Sequence, residues 1–239
     1  MSSFAKTLQT DTYLDVQPVL LRLVTTQPTL DLPSVTVTSR RISRAIDVVA
    51  ATILLVVSAP VMAVIALLVK LTSPGPAIFR QQRVGLGGEL FEVLKFRTMA
   101  NGTHAAVLDD PELRALYELN DFKLASDDPR ITKIGRFLRR TSLDELPQLV
   151  NVLRGQMSLV GVRPLLQNEL ELRSRHDRDL YVHHRPGLTG LWQIEGRSSV
   201  GATDRIKLDR SYLENWSVRS NVKILLRTPR AVLFGHGAH

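Results

Sequence analysis

Residues 48–69 read VVAATILLVVSAPVMAVIALLV, an apolar run broken only by Thr52, Ser58 and Pro60 and carrying no charge. At a rise of ~1.5 Å per residue the stretch reaches about 30 Å, the thickness of a hydrocarbon core. A buried helix of a soluble protein is the alternative, and the length argues against it. The run is therefore read as a membrane segment. Arg40, Arg41 and Arg44 precede it, and Lys70, Arg80 and Arg83 follow it. Basic flanks favour the cytoplasm, and here both flanks qualify. Pro60 has no N–H and so strands the carbonyl of Val56; the Ser58 hydroxyl can satisfy a group freed at such a break. A helix that enters, bends at Ser58-Ala59-Pro60 and returns to the same face reconciles the proline with the charges. A proline-kinked spanning helix is the competitor, and the charge symmetry favours re-entry.

The chain has 239 residues, with 31 Lys+Arg against 23 Asp+Glu, a formal charge of +8 and no cysteine. The missing thiols exclude a disulfide scaffold, a thiolate zinc site and a cysteine nucleophile. Aromatic residues at 5% are sparse for stacking on single-stranded nucleic acid. The basic surplus points to a phosphate-rich partner: nucleic acid, nucleotide or anionic membrane. Residues 1–39 are nearly neutral and rich in Ser, Thr and Pro, with no basic start leading into an apolar run. No signal peptide is expected there, and the segment reads as a flexible arm.

Downstream, Ser73-Pro74-Gly75-Pro76 ends the membrane helix, because neither proline can continue it. Residues 77–84 and 90–97 read as two strands around Gly85-Leu86-Gly87-Gly88, a hairpin signal. From Arg130 to Arg140, Ile131, Ile134, Phe137 and Leu138 share one helical face, opposite Lys133, Arg136 and Arg140. Such a helix suits either an anionic bilayer surface or a packed core. Further helices are expected over 147–154, closed by Gly155, and over 206–216 and 221–233.

The acidic pair Asp144-Glu145 carries the most chemical interest. Ser142-x-x-Glu145 matches a capping box, and acids favour a helix N-terminus, so a structural role is open. The functional reading notes Arg136, Arg139 and Arg140 nearby and a helix start that attracts phosphate. Adjacent residues on a helix point different ways, so the two carboxylates can divide their roles, one attacking phosphorus and one holding a divalent cation. Lys95 and Arg97 lie two apart on the second strand and share a face, where they can neutralise a diphosphate or form a solvated strand surface. Arg163, between Gly161-Val162 and Pro164, has the setting of an anion-binding loop residue. Residues 186–193, PGLTGLWQ, followed by Gly196-Arg197, form a glycine-punctuated loop that can hold a base and a phosphate or be a tight turn. Neither a G-x-x-x-x-G-K-[ST] motif nor a G-x-G-x-x-G opening a helix occurs. His176, His183 and His184 lack metal-ligand spacing, and no nucleophile elbow supports Ser-His-Asp hydrolysis.

Taken together, these stretches resemble the bacterial sugar transferases, specifically the small monotopic polyprenol-phosphate phosphoglycosyl transferases. The resemblance rests on Ser73-Pro-Gly-Pro, Arg83-Val84-Gly85, Lys95-Phe96-Arg97-Thr98-Met99 and Asp128-Pro129-Arg130-Ile131-Thr132. Arg139 through Leu149, Ser158-Leu159-Val160-Gly161 and Pro186 through Gly190 continue it, in order, over about residues 40–239. It implies a mainly α fold with a small antiparallel β-hairpin, one Pro-broken re-entrant helix marked by Ser58 and Pro60, and amphipathic interfacial helices. The implied organisation is an arm over 1–39, the membrane helix over 40–72 and a catalytic domain over 73–239 on the cytoplasmic face of the bacterial inner membrane.

The resemblance further implies transfer of a sugar-1-phosphate from a UDP-sugar to undecaprenyl phosphate, releasing UMP, as the first membrane step of exopolysaccharide or other surface-glycan synthesis. Asp144 would attack the β-phosphorus, and Asp144 and Glu145 would hold Mg²⁺. Lys95, Arg97 and Arg163 would contact phosphate, Arg139 would lie near the lipid phosphate, and Gln193 and Arg197 in the nucleotide-side loop. The Gly190-Leu191-Trp192-Gln193 loop leans the donor towards glucose or galactose. No nucleic-acid partner is expected, and a homodimer is left open. Three departures from the family pattern stand out: Val162 in place of the first proline of Gly-Pro-Arg-Pro, Ala59 inserted between Ser58 and Pro60, and Asn221 for a frequent aspartate. The competing reading is a membrane-tethered binding protein for nucleic acid or anionic lipid, with an inert acidic pair and salt-sensitive affinity.

Overall fold

A 36-residue helix, α1 (Val37–Thr72), dominates the chain. In the computed structural model, residues 35–100, 130–195 and 201–234 are described. Thr36 caps α1, its hydroxyl accepting from the Ser39 N–H at 3.2 Å. Residues 37–39, expected in the arm, are thus helical, and the arm before residue 35 lies outside the described residues. The helix contains Pro60, and its helical conformation continues through Ser58-Ala59-Pro60. The Ser58 hydroxyl donates to the Leu54 carbonyl at 2.6 Å. This corrects the expected partner: the carbonyl stranded by Pro60 is that of Val56, and Ser58 turns back one helical turn from its own position.

Burial along α1 is confined to its two ends. Ser43, Asp47 and Ala51 are buried near the start, and Ile65 and Val69 near the end. Between them Ile53, Val56, Val57 and Val64 are exposed, Val57 to 71%. Only 11% of the most apolar window is buried inside the protein, which excludes a soluble core helix. Apolar surface of this extent is stable in lipid and not in water. It is a membrane helix.

Ser73-Pro74-Gly75-Pro76 ends α1, and Gly75 takes a φ of 115° that suits glycine. Strands β1 (Ile78–Val84) and β2 (Leu90–Phe96) then pair antiparallel, from Ile78 opposite Phe96 to Val84 opposite Leu90, as the hairpin signal predicts. The expected helices also form: α2 (Lys133–Thr141), α3 (Gln148–Leu153), α7 (Ala202–Glu214) and α8 (Val218–Phe234). Between them lie the short helices α4 (Gln167–Glu171), α5 (Arg175–Val182) and α6 (Leu191–Glu195). The mainly helical class with one small antiparallel sheet therefore holds.

A second sheet was not foreseen. β3 (Ser158–Val160) and β4 (Gly187–Thr189) pair in parallel, Ser158 with Gly187 and Val160 with Thr189. Their glycines permit the approach: a Cβ on Gly187 would lie 2.0 Å from the Gly161 nitrogen. Residues 187–189 of the glycine-punctuated stretch are therefore a strand of this pair, neither free loop nor tight turn.

Two side-chain amides and a phenol tie the elements together. Buried Asn151 on α3 accepts from the Leu94 N–H (3.0 Å) and donates to the Glu92 carbonyl (2.7 Å), covering the outer edge of β2. Tyr181 on α5 donates to the Val84 carbonyl (2.7 Å) and accepts from the Leu165 N–H (2.9 Å). Asn221 on α8 donates to the Ser43 hydroxyl of α1 at 3.3 Å.

Candidate active site

The acidic pair sits on a tight reversal. α2 ends at Ser142, whose φ of 57° and ψ of 16° are left-handed, and its N–H closes back on the Arg139 carbonyl at 3.2 Å. A 3₁₀ turn, Leu143–Glu145, follows directly and hands the chain to α3. The capping-box reading fails here. Ser142 makes no side-chain cap bond, and the Glu145 carboxylate bonds elsewhere, accepting from Lys95 Nζ at 2.7 Å. A capping residue is ordinarily extended, and Ser142 is left-handed, which is why the cap spacing misleads.

Asp144 and Glu145 occupy different environments, as adjacent residues on a turn should. Asp144 is 8% exposed, whereas the Glu145 side chain is 33% exposed. Burial pushes the Asp144 carboxyl up to about 6; the Lys95 charge opposes this, Glu145 adds to it and Arg139 opposes it. A carboxyl that is poorly solvated yet faced by cations is the setting that suits a nucleophile.

Lys95 reaches the pair from β2. Arg139 reaches it from α2, with its Nε donating to the Thr98 hydroxyl at 2.9 Å. Thr98 is buried, and its carbonyl accepts from the Thr132 N–H at 3.0 Å. Gly135 lets α2 close onto that point, since a Cβ there would lie 2.0 Å from the Thr98 carbonyl oxygen. The turn is also rooted on the membrane helix: Leu143 and Leu146 pack with Ile65, Val69, Phe96 and Leu138. So Lys95, Arg139, Asp144 and Glu145, all named from the sequence, come together at the end of α1.

The remaining candidates make other contacts. Arg97 was expected at a substrate phosphate, but it is buried and its guanidinium donates to the carbonyls of Pro74 (2.6 Å), Ser73 (2.7 Å) and Val69 (3.3 Å). It caps the C-terminal end of α1, because a cation complements unpaired helix carbonyls. Arg163 pairs with Glu169, whose other oxygen takes Arg83 at 3.1 Å. Its charge acts on Tyr181 and Asp209, in a cluster where Arg173 meets Asp209 at 2.9 Å and Arg210 meets Asp177 at 2.7 Å. Gln193, on α6, donates to the Leu188 carbonyl at 3.2 Å. Arg197 lies outside the described residues.

Three side chains that position the site or hold the membrane helix were given no such role from the sequence. Thr98 stood inside a quoted motif yet carries no charge to draw notice. Asp47 is a lone carboxylate at the edge of the apolar run, and that position was the available signal. Its Oδ1 accepts from the Ser158 hydroxyl (3.1 Å) and the Leu159 N–H (3.0 Å). Arg44 donates to the Val152 (2.6 Å) and Leu153 (2.9 Å) carbonyls at the end of α3.

The donor set also bears on metal binding. Among the described residues no group of three or more His, Cys, Asp or Glu could hold an ion by itself. Adjacent carboxylates fit Mg²⁺, which takes hard oxygen donors and is usually held by one or two carboxylates with substrate phosphates completing the shell.

A buried carboxylate with a second carboxylate and two cations beside it, on a turn packed against the end of the membrane helix, defines a membrane-associated protein with a charged site at the end of its apolar segment. Residues 38–235 match the bacterial sugar transferase family, and the chain belongs to it. It is 46% identical over 206 residues to an undecaprenyl-phosphate galactose phosphotransferase of Salmonella typhimurium, covering 84% of this chain and 42% of that protein. It is 41% identical over 225 residues to a UDP-glucose:undecaprenyl-phosphate glucose-1-phosphate transferase of Caulobacter vibrioides, covering 91% and 79%. It is 40% identical over 198 residues to the exopolysaccharide production protein ExoY of Sinorhizobium fredii, covering 82% and 87%. The chain thus spans less than half the length of the Salmonella relative and most of the other two.

Proposed function

We propose that this protein transfers glucose-1-phosphate or galactose-1-phosphate from the UDP-sugar to undecaprenyl phosphate, releasing UMP, as an opening step of exopolysaccharide or other surface-glycan synthesis. The observation that carries the reading is the buried Asp144 beside Lys95 and Arg139, on a turn packed against the end of the membrane helix. A water-soluble donor and a lipid-borne acceptor can both reach such a place. The names of the relatives supply the substrate class.

An Asp144 carboxylate oxygen attacks the β-phosphorus of the donor. The bond from that phosphorus to the oxygen bridging the two phosphates breaks, and UMP leaves with the bonding electrons. A phosphate oxygen of the acceptor then attacks the same phosphorus, the bond to Asp144 breaks, and the carboxylate is restored. Lys95 and Arg139 offset negative charge around the reacting phosphoryl group, and Lys95 also holds Glu145 in place. Asp144 and Glu145 would hold Mg²⁺, which when bound neutralises charge on the diphosphate.

The membrane course follows the re-entrant reading. Two polar clamps hold α1: Arg44 and Asp47 at its start, on α3 and β3, and Arg97 at its end. Both clamps belong to one compact unit. A straight spanning helix would carry its two ends to opposite faces, about 30 Å apart, where one unit cannot grip both. Re-entry keeps the site on the cytoplasmic face of the inner membrane, with the nucleotide-sugar donor.

The test is UMP release by detergent-purified protein given Mg²⁺, undecaprenyl phosphate and a panel of UDP-sugars, beside Asp144→Asn. Release with UDP-glucose or UDP-galactose, lost in the variant, supports the reading. Folded protein that releases no UMP with any donor would leave a non-catalytic anion-binding role.

A further inference from the structure

Burying a polar side chain without a hydrogen bond is costly, so folded proteins seldom do it. Most buried polar side chains among the described residues follow the rule. Thr98 accepts from Arg139, Asn151 meets β2, the Thr189 hydroxyl lies 3.1 Å from that of Thr228, and Asp209 accepts from Arg173. Two buried polar side chains among the described residues do not. Asp144, 8% exposed, and Gln148, 2% exposed, make no side-chain hydrogen bond to another residue. They lie four residues apart, Asp144 in the 3₁₀ turn and Gln148 at the first position of α3.

The register of α3 fixes where Gln148 sits. Three residues before it, Glu145 accepts from Lys95 of β2 at 2.7 Å. Three residues after it, Asn151 bonds the Leu94 N–H and the Glu92 carbonyl of the same strand. Residues three apart on a helical path share a side, so Gln148 falls on the side turned to β2, between those two contacts. The Lys95 charge also acts on the Asp144 carboxyl. Both unpartnered side chains are thus placed around one cation of the candidate active site.

We infer that the Gln148 amide is a substrate-contacting group, its N–H donating to a non-bridging oxygen of the phosphoryl group that Asp144 receives. The inference rests on the transferase reading. A phosphoryl group in transfer carries charge on several oxygens, and a buried donor fixed in advance stabilises that charge more than water does. Lys95 and Arg139 already supply positive charge. A third cation beside Asp144 would pair with the carboxylate and blunt its attack, whereas an amide donates without net charge. An amide kept for the fold alone takes a protein partner, as Asn151 does one turn further along α3.

The experiment compares the full-length protein with Gln148→Met, which keeps the length of the side chain and removes its donor, and with Gln148→Leu as a second apolar replacement. No protein partner is lost, so the apparent Tm in detergent should hold or rise. The kcat for UMP release with UDP-glucose or UDP-galactose should fall about 100-fold. A kcat within about two-fold of the parent overturns the inference, because an amide that holds only water or nothing is dispensable to the reaction. A Tm that falls together with the rate in both variants also overturns it, since the amide then serves the fold. A parent that releases no UMP with any donor defeats the transferase reading instead. A readout without turnover then decides: the rise in apparent Tm on adding UDP-glucose with Mg²⁺, expected in the parent and cut to about half or less in Gln148→Met. An equal rise in both proteins, or none in either, overturns the inference.

Discussion

Asp144 is buried yet keeps two cations, Lys95 and Arg139, close by. Arg139, beside it, donates from Nε to the neutral hydroxyl of Thr98. Thr98→Val keeps the shape and removes the acceptor, so the half-buried Arg139 guanidinium loses this bond. A hydrogen bond to a charged group is worth about 1.5 kcal/mol or more, so kcat/KM for UMP release should fall on the order of 10-fold. Thr98→Ser restores the hydroxyl and should restore most of the rate. Initial rates at varied acceptor and donor check this, with the loss expected mainly on the acceptor side if Arg139 serves the lipid phosphate.

Among the elements, α1 decides how the protein meets the bilayer. Asp47 is the polar key at its start, serving two buried donors on β3. Asp47→Ala leaves both unpaired at about 1–3 kcal/mol each, and the apparent Tm in detergent should drop clearly, whereas Asp47→Asn keeps an acceptor oxygen and should lose less. A topology experiment tests re-entry. Single cysteines at Arg41 and Lys70, both exposed, should react with a membrane-impermeant maleimide from the same, cytoplasmic, side. Reaction of the two from opposite sides would make α1 a spanning helix.

At the scale of the whole molecule, a second charged cluster joins parts of the chain far apart in sequence. Glu169 of α4 receives Arg83 from the hairpin and Arg163 from the loop after β3, and Arg173 reaches Asp209 of α7. Burial pushes the Asp209 carboxyl up to about 6, and the charge and hydrogen bond of Arg173 oppose that. The folded state therefore holds a proton between pH about 4 and 6 that the unfolded chain releases, so this group's contribution to stability falls as pH rises through that window. Asp209→Asn cannot titrate. Its apparent Tm, relative to the parent, should improve between pH 4.5 and 7, whatever the fixed cost of losing the Arg173 pair. A difference that stays constant with pH would contradict the assignment.

What the sequence by itself determined is local. The length and apolarity of 48–69 made a membrane helix, Gly85-Leu86-Gly87-Gly88 made a hairpin, and the order of the motifs marked the family and its acidic pair. Each depends on residues close together in the chain, where periodicity and turn chemistry act. Tertiary structure decided the rest. Arg97 looked like a phosphate ligand on its strand, yet the carbonyls it caps are more than twenty residues earlier, at the end of α1. Arg163 had the setting of an anion loop, and its carboxylate partner arrives on a helix that only folding brings beside Arg83. Ser142 carried the spacing of a cap, but the approach of α2 to Thr98 and of Leu143 and Leu146 to α1 accompanies a left-handed turn that sends Glu145 to Lys95 instead. The parallel pairing of β3 and β4 joins two short segments through a long crossover, which leaves no period in either to announce it. A polar side chain takes whichever partner folding brings within reach, and for these residues that partner is distant in the chain.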